Sequence, residues 1–411
     1  MLLKALPLVF VLAGLVLYTV LAGADFGAGI WRMFSGPGER GERIRDHAHH
    51  SMGPVWEANH VWLIFVLTVT WTAYPTFLGS IASTLAIPFF IAALGIILRG
   101  ASYALRSGAS TSREAVLVDG AFAVASLVTP FALGAMAGGI AAERIPVGNA
   151  AGSLWSSWLN PVSIIVGVLA VAFSAYLAAV YLSADAARRA EPDIEEAYRR
   201  RALVAGSAAG VLAIVGLIVV HGDAHSLYAG LVHGAALAVL ILSLVAGTVA
   251  MALVATRRFE PARYVAALAV AAVVAGWAFA RWPALLPGLS VYQAAAPHDT
   301  LVAVVVAVLA GGAILFPALG LLFTLTLRGH VGEPGTDAMP PDGVAGGVLG
   351  QAGRAGPALA ARVAVACLIA GVGFLNAADA PWAHIIGVFA LFGFIIAGFA
   401  AIVPWALAHD A

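Results

Sequence analysis

The 411-residue chain is 62% hydrophobic and only 10% charged, with a mean hydropathy of +0.97 and a formal net charge of zero. Soluble domains are closer to half apolar and a quarter charged, so the surplus must face lipid, and a soluble enzyme domain is excluded. Zero net charge gives no pull toward nucleic acid, and the lone Cys367 excludes internal disulfides, Cys-ligated iron–sulfur clusters and the paired thiols of a c-type haem.

A hydrocarbon core of roughly 30 Å takes about 20 helical residues. Residues 5–24 carry no charge and make a first span ending near Trp31; they run past signal-peptide length without a small-residue cleavage site, so the segment is expected to stay as a helix. The stretch 61–98 has no Asp, Glu, Lys or Arg and is too long for one span, which predicts two helices turning near Gly79–Ser80. Further spans fall around 119–141, 159–184, 202–221, 229–254, 262–281, 300–327, 359–378 and 383–407. The expected fold is an all-α polytopic membrane protein of about eleven transmembrane helices.

Charge sorts the connections. The first, third, fifth, seventh and ninth carry four, three, five, three and two Lys or Arg, and the even ones at most one each. The positive-inside rule makes the odd connections cytoplasmic, the N-terminus external and the C-terminus cytoplasmic. A Gly- and Pro-rich stretch with Gly332, Pro334, Pro340 and Pro341 cannot bury enough apolar area to fold. It divides the chain into a transmembrane body at 1–328, a flexible cytoplasmic linker at 329–357 and two additional helices at 358–411.

Charged groups inside spans are expensive and so point to function. Asp25 stands in Gly23-Ala24-Asp25-Phe26-Gly27, where Gly23 and Gly27 share one helix face in a small-xxx-small pattern. Asp25 faces nearly the opposite way, in a column with Tyr18 and Arg32. It reads either as a structural acid paired to Arg32 or another helix, or as a protonatable site. The second helix opens at Gly53-Pro54, and its first turn places Glu57, Asn59 and His60 together between Trp56 and Trp62. A first-turn acid needs no further explanation; a polar pocket at the span's edge is the functional alternative.

Glu57 and His60 have Glu-x-x-His spacing, but a carboxylate-bridged di-metal site needs a second such pair, and the sequence has none. His221, Asp223 and His225 fit a solvated outer turn; His233 is expected one turn inside its helix; Asp119 fits a first-turn acid. Arg99 at the cytoplasmic end of its helix fits a snorkelling anchor.

Three blocks, Leu21-Ala22-Gly23-Ala24-Asp25-Phe26-Gly27, Trp56-Glu57-Ala58-Asn59-His60-Val61-Trp62-Leu63-Ile64 and Leu98-Arg99-Gly100, resemble subunit II of cytochrome bd-type quinol oxidases, including the cyanide-insensitive branch. The likeness runs over roughly residues 7–328, and its most specific part is the Trp56–Ile64 block. It implies a nine-helix body of two four-helix bundles and a peripheral helix, to which the last helix pair here is appended. It implies a heterodimer with a haem-bearing subunit I, holding haems b and d, that oxidises quinol and reduces dioxygen to water in the bacterial cytoplasmic membrane. Small accessory subunits are possible further partners, alongside lipid and quinone. Subunit II would bind no haem or metal and have no catalytic residue of its own; it would stabilise the complex and contribute to proton uptake from the cytoplasm.

On that likeness Asp25 and Glu57 match the family's first- and second-helix acids, with His60 beside them as proton-path candidates. Trp56, Asn59, Trp62, Arg99, Gly23 and Gly27 belong to the structural motif. Some members carry another Asp four residues before the first acid, where this chain has Leu21 or Ala22, and one beyond the third helix, where it reads Tyr103-Ala104-Leu105-Arg106. The alternative from composition alone is a proton-coupled transporter, which would show broken helices with charges at mid-membrane.

Overall fold

The computed structural model describes residues 1–36, 38–106, 112–327, 355–377 and 381–407; the side chains of residues 53, 54, 56–58, 103–106, 112–116, 316, 318–327, 355–358, 361, 372–377, 381, 384 and 399–407 lie outside that description, as does most of the expected linker. Two compact units emerge, Met1–Leu322 and Phe323–Ala411.

In the first unit α1 (Leu2–Met33) and α2 (Gly38–Ala73) form a long antiparallel pair, followed by the short α3 (Pro75–Thr84), α4 (Ala86–Arg106) and α5 (Ser112–Ala141). Then come α6 (Pro161–Arg188), α7 (Pro192–Asp223), α8 (His225–Leu231), α9 (Gly234–Ala255) and α10 (Phe259–Arg281). A small antiparallel hairpin of β1 (Ala284–Leu286) and β2 (Leu289–Ser290), and the single turn α11 (Val291–Ala294), lead into α12 (His298–Leu327). In the second unit α13 (Ala355–Ala377) packs on α14 (Pro381–Leu407), with Gly371 against Leu391 and Gly393 against Cys367.

Among the described residues seven helices are long and apolar enough to cross a membrane, or eight if a bent pair is one span. Large apolar side chains such as Ile64, Phe90, Ile97, Ile218 and Leu244 point outward, as a lipid-facing surface requires. The chain is therefore a helical membrane protein.

Helix α1 is central, packing on α2, α5, α6 and α10. Its approach to α6 depends on Gly27, where a Cβ would collide with the Ser174 carbonyl and lie 2.6 Å from the Ala178 Cβ; Gly23 faces Leu177. The α5–α6 contact is built the same way, since a Cβ on Gly134 would lie 2.7 Å from that of Ala170. Small residues let backbones approach where no hydrophobic effect drives helices together. Helix α6 is started by Asn160, whose side chain accepts from the Ser163 N–H at 2.9 Å, with Pro161 in the first turn.

The expected turn at Gly79–Ser80 is corrected. The chain breaks at Tyr74, bending by 119° between α2 and α3, and again at Leu85, so residues 79 and 80 lie inside α3. Pro75 lacks an N–H and pushes Tyr74 out of the helical region, to φ −137° and ψ 60°. Tyr74 is fully buried, and its hydroxyl donates to the Lys4 carbonyl at 2.8 Å, which anchors the bend.

The opening of the second helix is also corrected. It starts at Gly38 rather than Gly53, because Ile44, Ala48 and Met52 recur every four residues and bury against α6 and α7. Glu57 is thus far from a first turn, and the dipole explanation for it lapses.

Candidate functional site

Asp25, on α1, is 1% exposed and meets Arg99 of α4, also 1% exposed, with Nη2 2.6 Å from Oδ1. Asn59 of α2 donates Nδ2–H to the other carboxylate oxygen at 3.1 Å. Arg99 Nη2 also lies 3.3 Å from the Asp25 carbonyl, and Nη1 donates to the Ser126 hydroxyl of α5. The guanidinium carbon sits 4.8 Å from the Phe26 ring centroid and 4.3 Å from that of Phe122. Gly29 makes the room: a Cβ there would stand 2.9 Å from Arg99 Nη1. Four helices thus share one buried ion pair whose hydrogen bonds and aromatic faces replace water.

This corrects two expectations. Arg99 is not a snorkelling anchor, because its head is enclosed by α1 and α5. Asp25 pairs with another helix, α4, while Arg32 binds Asp119 at 3.0 Å; α5 starts at Ser112, so Asp119 lies about two turns inside it and is not a first-turn acid. Tyr18, Ala22 and Phe26 of α1 pack with Trp62 and Leu63 of α2 beside the pair. His60 is half-buried on α2; the side chains of Trp56 and Glu57 lie outside the described residues. His233 does not sit inside a helix; it is the exposed residue before α9, with Nδ1 2.7 Å from the Ala229 carbonyl. Among the described residues no group of three His, Cys, Asp or Glu is placed to hold a metal ion.

A second polar cluster escaped the sequence. His47, with its side chain 2% exposed, has Nδ1 2.9 Å from Glu191 Oε2 and Nε2 3.3 Å from the Leu182 carbonyl and 3.8 Å from Asp185 Oδ2. Ser51, one turn further along α2, donates to Asp185. Residues 38–52 carry six charges, Glu39, Arg40, Glu42, Arg43, Arg45 and Asp46, a composition that resembles a solvated loop although the segment is helical. The available signal was the four-residue spacing of His47 with Ser51 on the stripe of Ile44, Ala48 and Met52.

The polar residues at the two ends of the bundle keep to themselves. At one end Arg32 meets Asp119, Arg188 meets Glu260 at 3.4 Å, and Arg257 meets Glu195 at 2.6 Å. At the other, Arg144 meets Asp223 at 2.8 Å, Glu143 takes bonds from Arg281 and Ser226, and Lys4 reaches the Tyr292 carbonyl. The cluster of His221 and Asp223 belongs to that second end.

A helical membrane body closed around a buried Asp–Arg pair defines the class. The chain matches the cytochrome bd terminal oxidase subunit II family model over residues 3–326 and belongs to that family. It is 31% identical over 116 residues to the cytochrome bd ubiquinol oxidase subunit 2 of Bacillus subtilis, a stretch covering 28% of this chain and 33% of that one. A second relative from the same bacterium, described as a cytochrome bd menaquinol oxidase subunit II, is 23% identical over 221 residues, covering 53% and 62%. The chain thus spans less than two thirds of either relative's length. The bd oxidase structure from Geobacillus thermodenitrificans shares the fold, with TM-score 0.62 and 23% identity over 80% of this chain and 99% of that one.

Proposed function

We propose that this chain is the non-haem-ligating subunit II of a quinol-oxidising, dioxygen-reducing terminal oxidase in a bacterial cytoplasmic membrane, active only with a haem-bearing subunit I. The family match across residues 3–326 carries this reading. The relatives named above as quinol oxidase subunits support the reaction class, and the bd oxidase fold supports the partner. We further read the body as two four-helix bundles and a peripheral helix, with the last helix pair appended through the linker at 329–357, and haems b and d in the partner. The excess of Lys and Arg in the odd-numbered connections supports the assigned sidedness, N-terminus out and C-terminus in.

Oxygen reduction consumes protons, and drawing them from the cytoplasm conserves energy. Asp25, Glu57 and His60 are the sequence's candidates for that path. Asp25 is tied to Arg99 and Asn59, which gives it a structural part; Glu57 and His60 are the other two candidates.

The test is purification of the tagged chain with its native partners, followed by a reduced-minus-oxidised spectrum and oxygen consumption with quinol. Haem in the complex, and none on the chain expressed alone, is the expected outcome. A chain that takes up stoichiometric haem by itself, or a complex without quinol oxidase activity, overturns the reading.

A further inference from the structure

We propose that Glu191, His47, Asp185 and Ser51 form a proton-collecting relay at the cytoplasmic end of the bundle, with His47 its transfer residue; this rests on the oxidase reading above. The imidazole is enclosed; Nε2 meets a backbone carbonyl, while Nδ1 and the Glu191 Oε2 facing it are both buried and have no hydrogen-bond partner, each the nearest polar atom available to the other. The Leu182 carbonyl can only accept, so Nε2 carries a hydrogen, and that hydrogen also faces Asp185 at 3.8 Å. Nδ1 faces Glu191 at 2.9 Å, and Glu191 is 34% exposed, so its carboxyl can exchange with water. One nitrogen thus looks to solvent and the other toward a carboxylate tied to Ser51, one turn deeper on α2.

The chain turn that brings these together is defined locally. Helix α6 ends with Ala190 in the left-handed region at φ 54°, and the Glu191 N–H returns to the Ala186 carbonyl at 3.0 Å. Pro192 then starts α7, leaving Glu191 as its cap residue against His47. The extension of α2 is held there by the Tyr198 hydroxyl, which donates to the Ile44 carbonyl at 3.1 Å, and by the Tyr198 ring, 5.9 Å from that of His47. The inward stripe of α2 continues His47, Ser51, Val55, Asn59 at four-residue spacing, about 18 Å along the axis, ending at the Asp25–Arg99 pair.

In the step, a proton on the Glu191 carboxyl passes to Nδ1 and the Nε2 proton leaves to Asp185. One proton arrives and one departs: Glu191 is left as carboxylate, Asp185 as carboxyl, and the ring as its Nδ1–H tautomer. The charged groups around the ring are Asp185 with Arg188 and Arg189 from α6, Glu191 and Tyr198 from α7 with Arg201 stacked on Tyr198, and Asp46, His49 and His50 alongside on α2. Buried surroundings keep competing water from short-circuiting the transfer.

The experiment uses the purified complex with its haem-bearing partner and measures oxygen consumption per haem, its pH profile, and the rate ratio in H2O and D2O. For His47→Gln the relay predicts a loss of about tenfold or more with a raised solvent isotope effect. Glu191→Gln, which leaves the enclosed ring in place, loses about two- to fivefold, most strongly at alkaline pH where free protons are scarce. Wild-type turnover and isotope effect in both variants overturn the relay. So does a His47→Gln variant that fails to assemble while Glu191→Gln turns over normally, which makes His47 a structural link. If wild-type material itself carries no haem partner and consumes no oxygen, the subunit reading fails first and the relay falls with it.

Discussion

Asp25 and Arg99 make a test of what buried charge does in this bundle. Removing one partner of a buried pair leaves the other uncompensated, at about 3–5 kcal/mol, whereas replacing both with apolar groups of similar volume is often close to neutral. Asp25→Asn should therefore lower the thermal midpoint and yield of the detergent-purified complex. Asp25→Leu with Arg99→Met should recover much of that loss. A single variant that keeps wild-type stability but turns over slowly would instead restore Asp25 to the proton path. The acid itself was legible in the sequence, as an Asp within an apolar helix. Its partner was not, because Arg99 at the end of an apolar run looks the same whether its head bends outward to water or inward to α1.

Glu143 carries the pH dependence that can be assigned. The Arg281 hydrogen bond, opposed by partial burial and helped by Ser226 and the Arg281 charge, holds its carboxyl below the usual carboxylate range. A depressed folded pKa means the stabilisation is present above the unfolded value and is lost as pH falls through the folded one. Melting curves of wild type and Glu143→Gln should differ at neutral pH and converge in strongly acidic buffer; a difference that persists there would refute the assignment.

At the scale of elements, the helices were legible as charge-free runs, and the breaks were not. Gly79–Ser80 looks like a turn by residue type, but Pro75 acts on the residue before it, and the chain bends at Tyr74. The start of α2 was hidden for the opposite reason: six charges among residues 39–46 signal a loop, and the pattern that overrides them is only three apolar residues at four-residue spacing. Gly27 offers the clearest element-level test. A Val there must push α6 away, so Gly27→Val should abolish accumulation of the folded chain, while Gly210→Ala, in open space, should not. Ala190→Gly should raise stability by up to about 1 kcal/mol, since glycine adopts the left-handed conformation without the Cβ clash.

For the whole molecule, the division into Met1–Leu322 and Phe323–Ala411 yields a truncation experiment. Deleting residues 329–411 should leave assembly and oxygen consumption largely intact. Loss of the complex, with residues 1–328 still inserted, would make the last two helices part of the core. The proposed sidedness rests on the connection charges, through the tendency of Lys and Arg to be retained on the cytoplasmic side. Which acids would meet which arginines could not be read, since those pairs join connections far apart in the chain.

The ion pair at the centre of the body also imposes an order on biogenesis. Asp25 enters the membrane 74 residues before Arg99 exists, which at about 5–20 residues per second is roughly 4–15 s of translation. During that interval α1 must hold a carboxyl in or near hydrocarbon with no counter-charge, at roughly 2.5–3.5 kcal/mol on insertion scales. The rest of α1, with a mean hydropathy of 2.4 over its most apolar window, is what carries the helix through that wait. Nascent chains stalled before and after residue 99 should then differ in how firmly α1 is held: extractable by mild detergent or adjustable in depth before, fixed after.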